Sequence, residues 1–325
     1  MSESEKPLVA IRCIAYNQGA YIRETLEGFV SQKTDFKYVV VVHDDASTDS
    51  TPIVIKEFAD RYPDLILPIF ETENQYSKPG NPLGKIMAEA IEETGAKYMA
   101  FCEGDDYWTD PYKLQKQVDF LELHPDYGMC YSKADRFDQA SGKILNSWGG
   151  PNTTFESLLL KNTIPTLTAL VRIDLFSDFN SEIQPDLRDW KMGDYPLWLY
   201  ISLKAKIHFS PEVTAVYRVL GESASHSKSI SKRYYFDKNY KEIAEFFLNL
   251  NIDKVSTEVK DKFYISKHSL LLTMANIVRD NEELVQAKEF LQTRVKTLRL
   301  RILTLPNWLI RFPLMLKFRL EGWTL

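Results

Sequence analysis

Short apolar runs alternate with stretches of helical periodicity along the amino-terminal third of the chain. Leu8-Val9-Ala10-Ile11-Arg12-Cys13-Ile14-Ala15 reads as a buried strand, and it breaks at Tyr16-Asn17-Gln18-Gly19, where Asn and Gly are turn formers. Tyr21, Ile22, Thr25, Leu26, Phe29 and Val30 then recur at helical spacing, and Lys37-Tyr38-Val39-Val40-Val41-Val42 forms a β-branched second strand. This strand runs into His43-Asp44-Asp45-Ala46-Ser47-Thr48-Asp49, whose acids and hydroxyls offer helix caps, and Pro52 suits the first turn of a helix reaching about Arg61. Leu65–Phe70 reads as a third strand, kept from the centre of a sheet by Pro68. A Pro/Gly-rich loop, Asn74–Gly84, leads to a helix over Lys85–Thr94 and to a fourth strand, Lys97–Cys102. The order β-α-β-α-β-α-β predicts a mostly parallel sheet with helices on both faces.

Two of these strands end in adjacent carboxylates, Asp44-Asp45 and Glu103-Gly104-Asp105-Asp106, and Gly104 permits a sharp turn before the second pair. Either pair alone also reads as an acid-rich turn. Together they point to one edge of the sheet, because ligands of such sheets bind at the carboxyl ends of the strands. Repulsion between Asp105 and Asp106 is best relieved by a divalent cation, and hard oxygen ligands suit magnesium or manganese. No G-x-G-x-x-G follows the first strand and no Walker lysine motif is present, which removes the phosphate cradles of dinucleotide oxidoreductases and P-loop enzymes.

Further along, Lys113–Leu123 predicts a helix, and Gly128–Ser132 with Ala134–Phe137 predict strands turning at Ser141-Gly142. Thr153 and Glu156 stand at capping-box spacing before Leu158-Leu159-Leu160. In Gly193-Asp194-Tyr195-Pro196, Asp194 stands where an N-cap belongs and Pro196 falls in the first turn of an apolar helix. The positive end of that helix favours an ionised carboxylate, the state a general base needs, although capping alone would also account for Asp194. Asp189 is the reserve candidate. Lys85, just after the Pro/Gly-rich loop, is a candidate contact for a phosphate-bearing ligand such as a nucleotide, set against a solvated lysine at a helix start.

Ala15-Tyr16-Asn17-Gln18-Gly19, His43-Asp44-Asp45-Ala46-Ser47-Thr48-Asp49 and Glu103-Gly104-Asp105-Asp106-Tyr107-Trp108, the last followed by Asp110-Pro111-Tyr112-Lys113-Leu114, resemble the motifs of family 2 glycosyltransferases. The resemblance covers roughly residues 7 to 220. It implies an α/β fold of the GT-A type, a Rossmann-like nucleotide-diphospho-sugar transferase with a mixed sheet. It implies that Ala15, Tyr16, Asn17, Asp44, Asp45, Asp105 and Trp108 serve donor binding, with Asp44 or Asp45 on the base or ribose. Asp106 would hold the donor diphosphate through the cation, as the equivalent of the family's D-x-D aspartate. Gly193-Asp194-Tyr195 resembles the family's catalytic-acid motif, which implies Asp194 as the base in preference to a mere cap. The family often has an acid where Gln18 stands, and often a His where Leu220 stands. Here the nearest is His226, a candidate metal or diphosphate contact as well as an ordinary loop histidine. One base and no second nucleophilic acid imply a single displacement with inversion.

Composition changes this picture little. The chain has 325 residues, 44% of them hydrophobic, enough for a large catalytic domain over 1–228 and an appendage over 229–325. A net charge of −5 argues against a general nucleic-acid binder, and Cys13, Cys102 and Cys130 have no metal or disulfide spacing, which fits a reducing cytoplasm. The polar amino terminus lacks signal-peptide order, and no stretch is long and uncharged enough to span a bilayer. Beyond residue 229, Tyr234–Leu250, Val259–Arg279 and Glu282–Leu303 read as helices. Residues 294–323 carry seven basic side chains against one acidic, interleaved with Trp, Phe and Leu, the composition of a membrane-surface segment or of a protein contact. The expected activity is transfer of a sugar from a nucleoside-diphosphate donor, a UDP-sugar foremost, to a glycan or lipid-linked acceptor in surface polysaccharide assembly, with homo-oligomer formation open. A sugar-nucleotide nucleotidylyltransferase and a non-catalytic nucleotide-sugar-binding scaffold are the alternatives, the first lacking its glycine-rich loop and the second having no use for Asp194.

Overall fold

The computed structural model describes residues 6–294 except 79, 81, 222–228 and 279. The described residues form two compact units: one runs to Leu158 and includes Asn162–Asp189 and Gly193–Val219, the other takes Leu159–Lys161, Trp190–Met192 and the residues from Leu220 on.

The first unit begins with β1 (Val9–Ala15), α1 (Ile22–Val30), β2 (Tyr38–Asp44), α2 (Thr51–Arg61), β3 (Ile66–Phe70), α3 (Leu83–Glu93) and β4 (Tyr98–Phe101). This is the predicted alternation, with strand ends moved by a residue or two. After it come β5 (Tyr107–Trp108), α4 (Lys113–Leu123), β6 (Tyr127–Asp138), β7 (Lys143–Trp148), α5 (Phe155–Leu160), β8 (Leu170–Arg172), α6 (Ile173–Ile183), α7 (Asp194–Lys204) and β9 (Lys206–Val219). The sheet order is β3-β2-β1-β4-β8-β6-β9-β5, with β7 paired on β6. β1 to β4 are mutually parallel, β8 runs antiparallel to both β4 and β6, and β6 pairs in parallel with β9. Pro68 lies on β3 at the sheet edge, where a missing backbone donor is tolerated.

Strands β1 and β4 are almost wholly buried, which is why they read as continuous apolar runs and not as alternating ones. Their neighbours Leu26, Phe29, Leu114 and Val118 close the core from α1 and α4. The two pieces expected over Gly128–Phe137 are the single strand β6, and its pairing with β9 shifts register around Lys133, where the apolar pattern is interrupted. Two expected caps are displaced. The reciprocal pair at α5 is Thr154 with Ser157, whose amide donates to Thr154 Oγ1 at 3.3 Å while Thr154 N–H donates to Ser157 Oγ at 3.1 Å, one position on from Thr153 and Glu156. At α7 the N-cap is Gly193, and Asp194 is the first helical residue. Tyr195 to Ile201 are all buried, so this helix is enclosed on every side.

The second unit contains α8 (Ile230–Leu250), α9 (Thr257–Val278) and α10 (Asn281–Arg294), close to the expected helices as far as they are described. Tyr234, Leu271, Leu272, Ala275, Leu284 and Ala287 form its core, and Asp280 Oδ2 accepts from the Tyr234 hydroxyl at 2.6 Å and from Lys238 at 3.1 Å. The tail from residue 295 lies outside the described residues. Among the described residues no helix is long and apolar enough to cross a membrane.

Candidate active site

The carboxyl ends of β1 and β2 are in register, with Ala15 opposite Asp44 and the Asp45 amide donating to the Ala15 carbonyl at 3.0 Å. The loops that follow are zipped together by side chains. Asn17, at φ 51°, takes a left-handed conformation that asparagine tolerates, and this aims its N–H at Ser47 Oγ and its Oδ1 at the Thr48 amide, both at 2.8 Å. Gly19 N–H donates to Asp49 Oδ2 and Gln18 N–H to Thr51 Oγ1, again at 2.8 Å. Asn17 thus joins the loops, Ala15 is buried, and Tyr16 stands 49% exposed beside them.

The adjacent acids Asp44 and Asp45 are both buried but differ in use. Asp45 spends both oxygens on the loop after β3, accepting from the Gln75 amide at 2.6 Å and the Tyr76 amide at 3.1 Å. Asp44 Oδ2 accepts from the Ser47 amide at 3.2 Å, while its Oδ1 is buried without a hydrogen-bond partner. An unpaired buried carboxylate oxygen is costly, and a ligand donor would satisfy it.

The second acid group is built on the turn after β4. Gly104 N–H donates to the Ile14 carbonyl at 2.9 Å, and a Cβ at Gly104 would crowd Gln18, Ile22 and Ala15. The Thr25 hydroxyl, from α1, reaches the carbonyls of Gly104 at 3.0 Å and Asp106 at 2.6 Å. Asp106 is 4% exposed, and its Oδ1 accepts the Arg218 amide at 2.8 Å. The Arg218 guanidinium is itself buried, paired with Glu24 and lying 4.6 Å over the Tyr107 ring. Burial, then the charge of Asp105, pushes the Asp106 carboxyl well above its ordinary range, and burial raises Asp105 as well. Glu103 is also raised, by desolvation and by Asp105 and Asp194, against the opposing charge of Arg12 at 3.3 Å. The Cys13 and Cys102 thiols behind the turn are raised by burial and are inert.

Asp194 arrives at the same place from α7. Phe101, the last residue of β4, stacks edge-on against Trp198 at 5.5 Å, which sets the first turn of α7 beside Glu103. The Asp194 carboxylate accepts from the Thr166 hydroxyl at 2.5 Å and from the Tyr195 amide at 2.8 Å. Ala15, Tyr16, Asn17, Asp44, Asp45, Asp105, Asp106 and Asp194 therefore stand along one edge of the sheet. Trp108 lies behind it, 4% exposed, with its indole N–H donated to the Leu167 carbonyl at 2.7 Å. Lys85 is on the exposed face of α3 with Glu89 at 3.7 Å, Asp189 is exposed, and His226 lies outside the described residues.

Among the described residues no three His, Cys, Asp or Glu side chains are placed to hold a metal ion by themselves. The donor set at the turn is all carboxylate, with Asp106 Oδ1 committed to Arg218, and Mg²⁺ and Mn²⁺ are commonly held by one or two carboxylates with phosphate and water completing the shell. The residues fit such an ion. Sequence reasoning missed Thr25, Arg218 and Thr166. Thr25 shows as a polar residue on an apolar helix face and Arg218 as a charge at the end of a buried strand; Thr166 carries no local signal.

Residues 12–177 match the sequence profile described as Glycosyl transferase family 2. The uncharacterized protein Rv1520 of Mycobacterium tuberculosis is 34% identical over 236 residues, 70% of this chain and 64% of its own length. The chain thus spans less than two thirds of that relative. The putative teichuronic acid biosynthesis glycosyltransferase TuaG of Bacillus subtilis is 27% identical over 71% of this chain and 87% of its own length. Among solved structures, S. aureus TarS in complex with UDP-GlcNAc superposes with TM-score 0.54 at 17% identity, covering 89% of this chain and 93% of that one. The mannosyltransferase PcManGT of Pyrobaculum calidifontis, in complex with GDP-Man and Mn2+, gives TM-score 0.54 at 15% identity over 98% of this chain and 85% of its own. The mixed α/β architecture is that of the GT-A fold shared by these two structures.

Proposed function

The chain belongs to the family 2 glycosyltransferases, and on that premise we propose that it transfers a sugar, with inversion, from a nucleoside-diphosphate donor to a hydroxyl of a glycan or lipid-linked acceptor in surface polysaccharide assembly. The observation that carries the reading is the meeting, at one sheet edge, of an acid with an unpaired buried oxygen (Asp44), a desolvated acid pair (Asp105 and Asp106) and an acid at a helix start (Asp194). A UDP-sugar is the favoured donor, supported by the UDP-GlcNAc held by TarS, and a surface polysaccharide is supported by the name of TuaG.

Asp44 Oδ1 accepts an N–H or O–H from the nucleoside, with Ala15 and Tyr16 as neighbours. Asp106 and Asp105 would hold a magnesium or manganese ion, which when bound supplies positive charge to the departing diphosphate. Arg218 holds Asp106 Oδ1 through its backbone and Thr25 pins the turn, so the carboxylates are oriented before the donor arrives. Asp194, at the start of α7, takes the proton of the acceptor hydroxyl as its oxygen bonds the anomeric carbon and the bond to the diphosphate breaks. One base serves one displacement, hence inversion. The catalytic domain on this reading is residues 1–228.

Thermal stabilisation by UDP, GDP, dTDP and their sugars, each with and without Mn²⁺, tests the proposal. One nucleotide class is expected to raise Tm only with metal, and Asp106→Asn to remove that rise. Asp194→Asn is expected to keep the rise and lose sugar transfer by about 10²–10⁴-fold. Binding that ignores both metal and Asp106 would overturn the reading.

A further inference from the structure

Thr166 opens a short 3-10 turn, Thr166–Thr168, between α5 and β8, and its hydroxyl donates to Asp194 Oδ2 at 2.5 Å. A surface threonine could make such a contact by chance, but this turn is held on several sides. The Trp108 indole N–H donates to the Leu167 carbonyl at 2.7 Å, Gln117 Nε2 to the Thr168 carbonyl at 2.8 Å, and the Thr168 hydroxyl to the Ser132 carbonyl at 2.9 Å. Behind the turn, the ammonium of buried Lys113 lies 4.0 Å over the Trp108 ring and donates to Gln117 Oε1 at 2.8 Å. A fully buried lysine is expensive and the transfer reaction has no use for it. Its contacts explain it: it ties together the two side chains that fix the turn.

We propose that Thr166 is a positioning residue for Asp194, holding the carboxylate in one rotamer, and that Lys113, Trp108 and Gln117 set the place of Thr166. The proposal rests on Asp194 being the base. Asp194 Oδ1 accepts from the Tyr195 amide and Oδ2 from the Thr166 hydroxyl, so both carboxylate oxygens are oriented; removing the hydroxyl lets the carboxylate rotate away from the reacting geometry.

The measurement is the steady-state release of nucleoside diphosphate from a panel of UDP-, GDP- and dTDP-sugars with Mn²⁺, water serving as the acceptor. Thr166→Val is expected to lower kcat about tenfold with the donor KM unchanged, and Thr166→Ser to restore it. Trp108→Phe, which keeps the ring under Lys113 but frees the Leu167 carbonyl, is expected to lower kcat by less. Metal-dependent nucleotide stabilisation should survive in all three, which shows that they are folded. A kcat unmoved in folded Thr166→Val, a loss that falls on KM instead, or a loss that serine does not reverse overturns the proposal. The underlying reading fails separately: if Asp194→Asn keeps the parent kcat, Asp194 is not the base.

Discussion

Asp44 and Asp45 are neighbours with opposite employment, and their substitutions should separate. Asp45→Asn gives up charge-assisted bonds from two backbone amides and is expected to cost about 1–3 kcal/mol of stability, visible as a lower Tm. Asp44→Asn keeps an acceptor for the Ser47 amide and should leave Tm within a degree or two, while nucleotide affinity measured by calorimetry falls roughly 10–100-fold. Equal losses of stability in both variants would remove the distinction. No local pattern in His43-Asp44-Asp45 could have drawn it, because the difference lies in a loop some thirty positions away. Arg218 escaped notice for the same reason: its partner Glu24 is 194 residues distant in sequence.

At the scale of elements, local chemistry made the first half of the fold legible. Continuous apolar runs marked β1, β2 and β4, helical spacing marked α1, and the turn residues between them fell where predicted. The caps of α5 and α7 were misplaced by one residue because several hydroxyls and acids there satisfy the same local rule, and tertiary packing chooses among them. Helix α4 also carries a buried lysine whose cost can be read directly. Desolvation lowers Lys113 to about 8, below the ordinary lysine value of 10.5. Above pH 8 the folded chain has released that proton while the unfolded chain keeps its own until about 10.5, so unfolding takes up a proton and stability climbs across this window. Below pH 8 both states are protonated and the contribution is flat. Denaturant midpoints of Lys113→Met against the parent protein should therefore show a difference that changes by roughly 3 kcal/mol between pH 8 and 10.5 and stays constant below. A constant difference throughout would mean that the lysine is not desolvated.

For the whole molecule, the strand order was beyond reach of the sequence past β4, since β8 and β9 enter the sheet by pairings that no short-range pattern encodes. The basic, aromatic stretch at 294–323 is proposed to meet an anionic membrane surface, where a lipid-linked acceptor would reside. Flotation of the full chain should be strong with vesicles containing phosphatidylglycerol, weak with phosphatidylcholine alone, and lost at high salt or when Arg299, Arg301, Arg311, Lys317 and Arg319 are replaced by Gln. Binding indifferent to lipid charge would point to a protein contact instead.

The pairing of β6 with β9 has a consequence for how the chain is made. Asp106 receives its amide donor, and the twelve-residue β6 its parallel neighbour, only from a strand that ends at Val219. During synthesis the amino-terminal strands can assemble early, but β6 must wait with an open, apolar edge until more than eighty further residues have left the ribosome. Slow translation or premature termination within that interval would leave a sticky nascent strand, so the same late strand that completes the acid turn also sets when the growing chain most needs a chaperone.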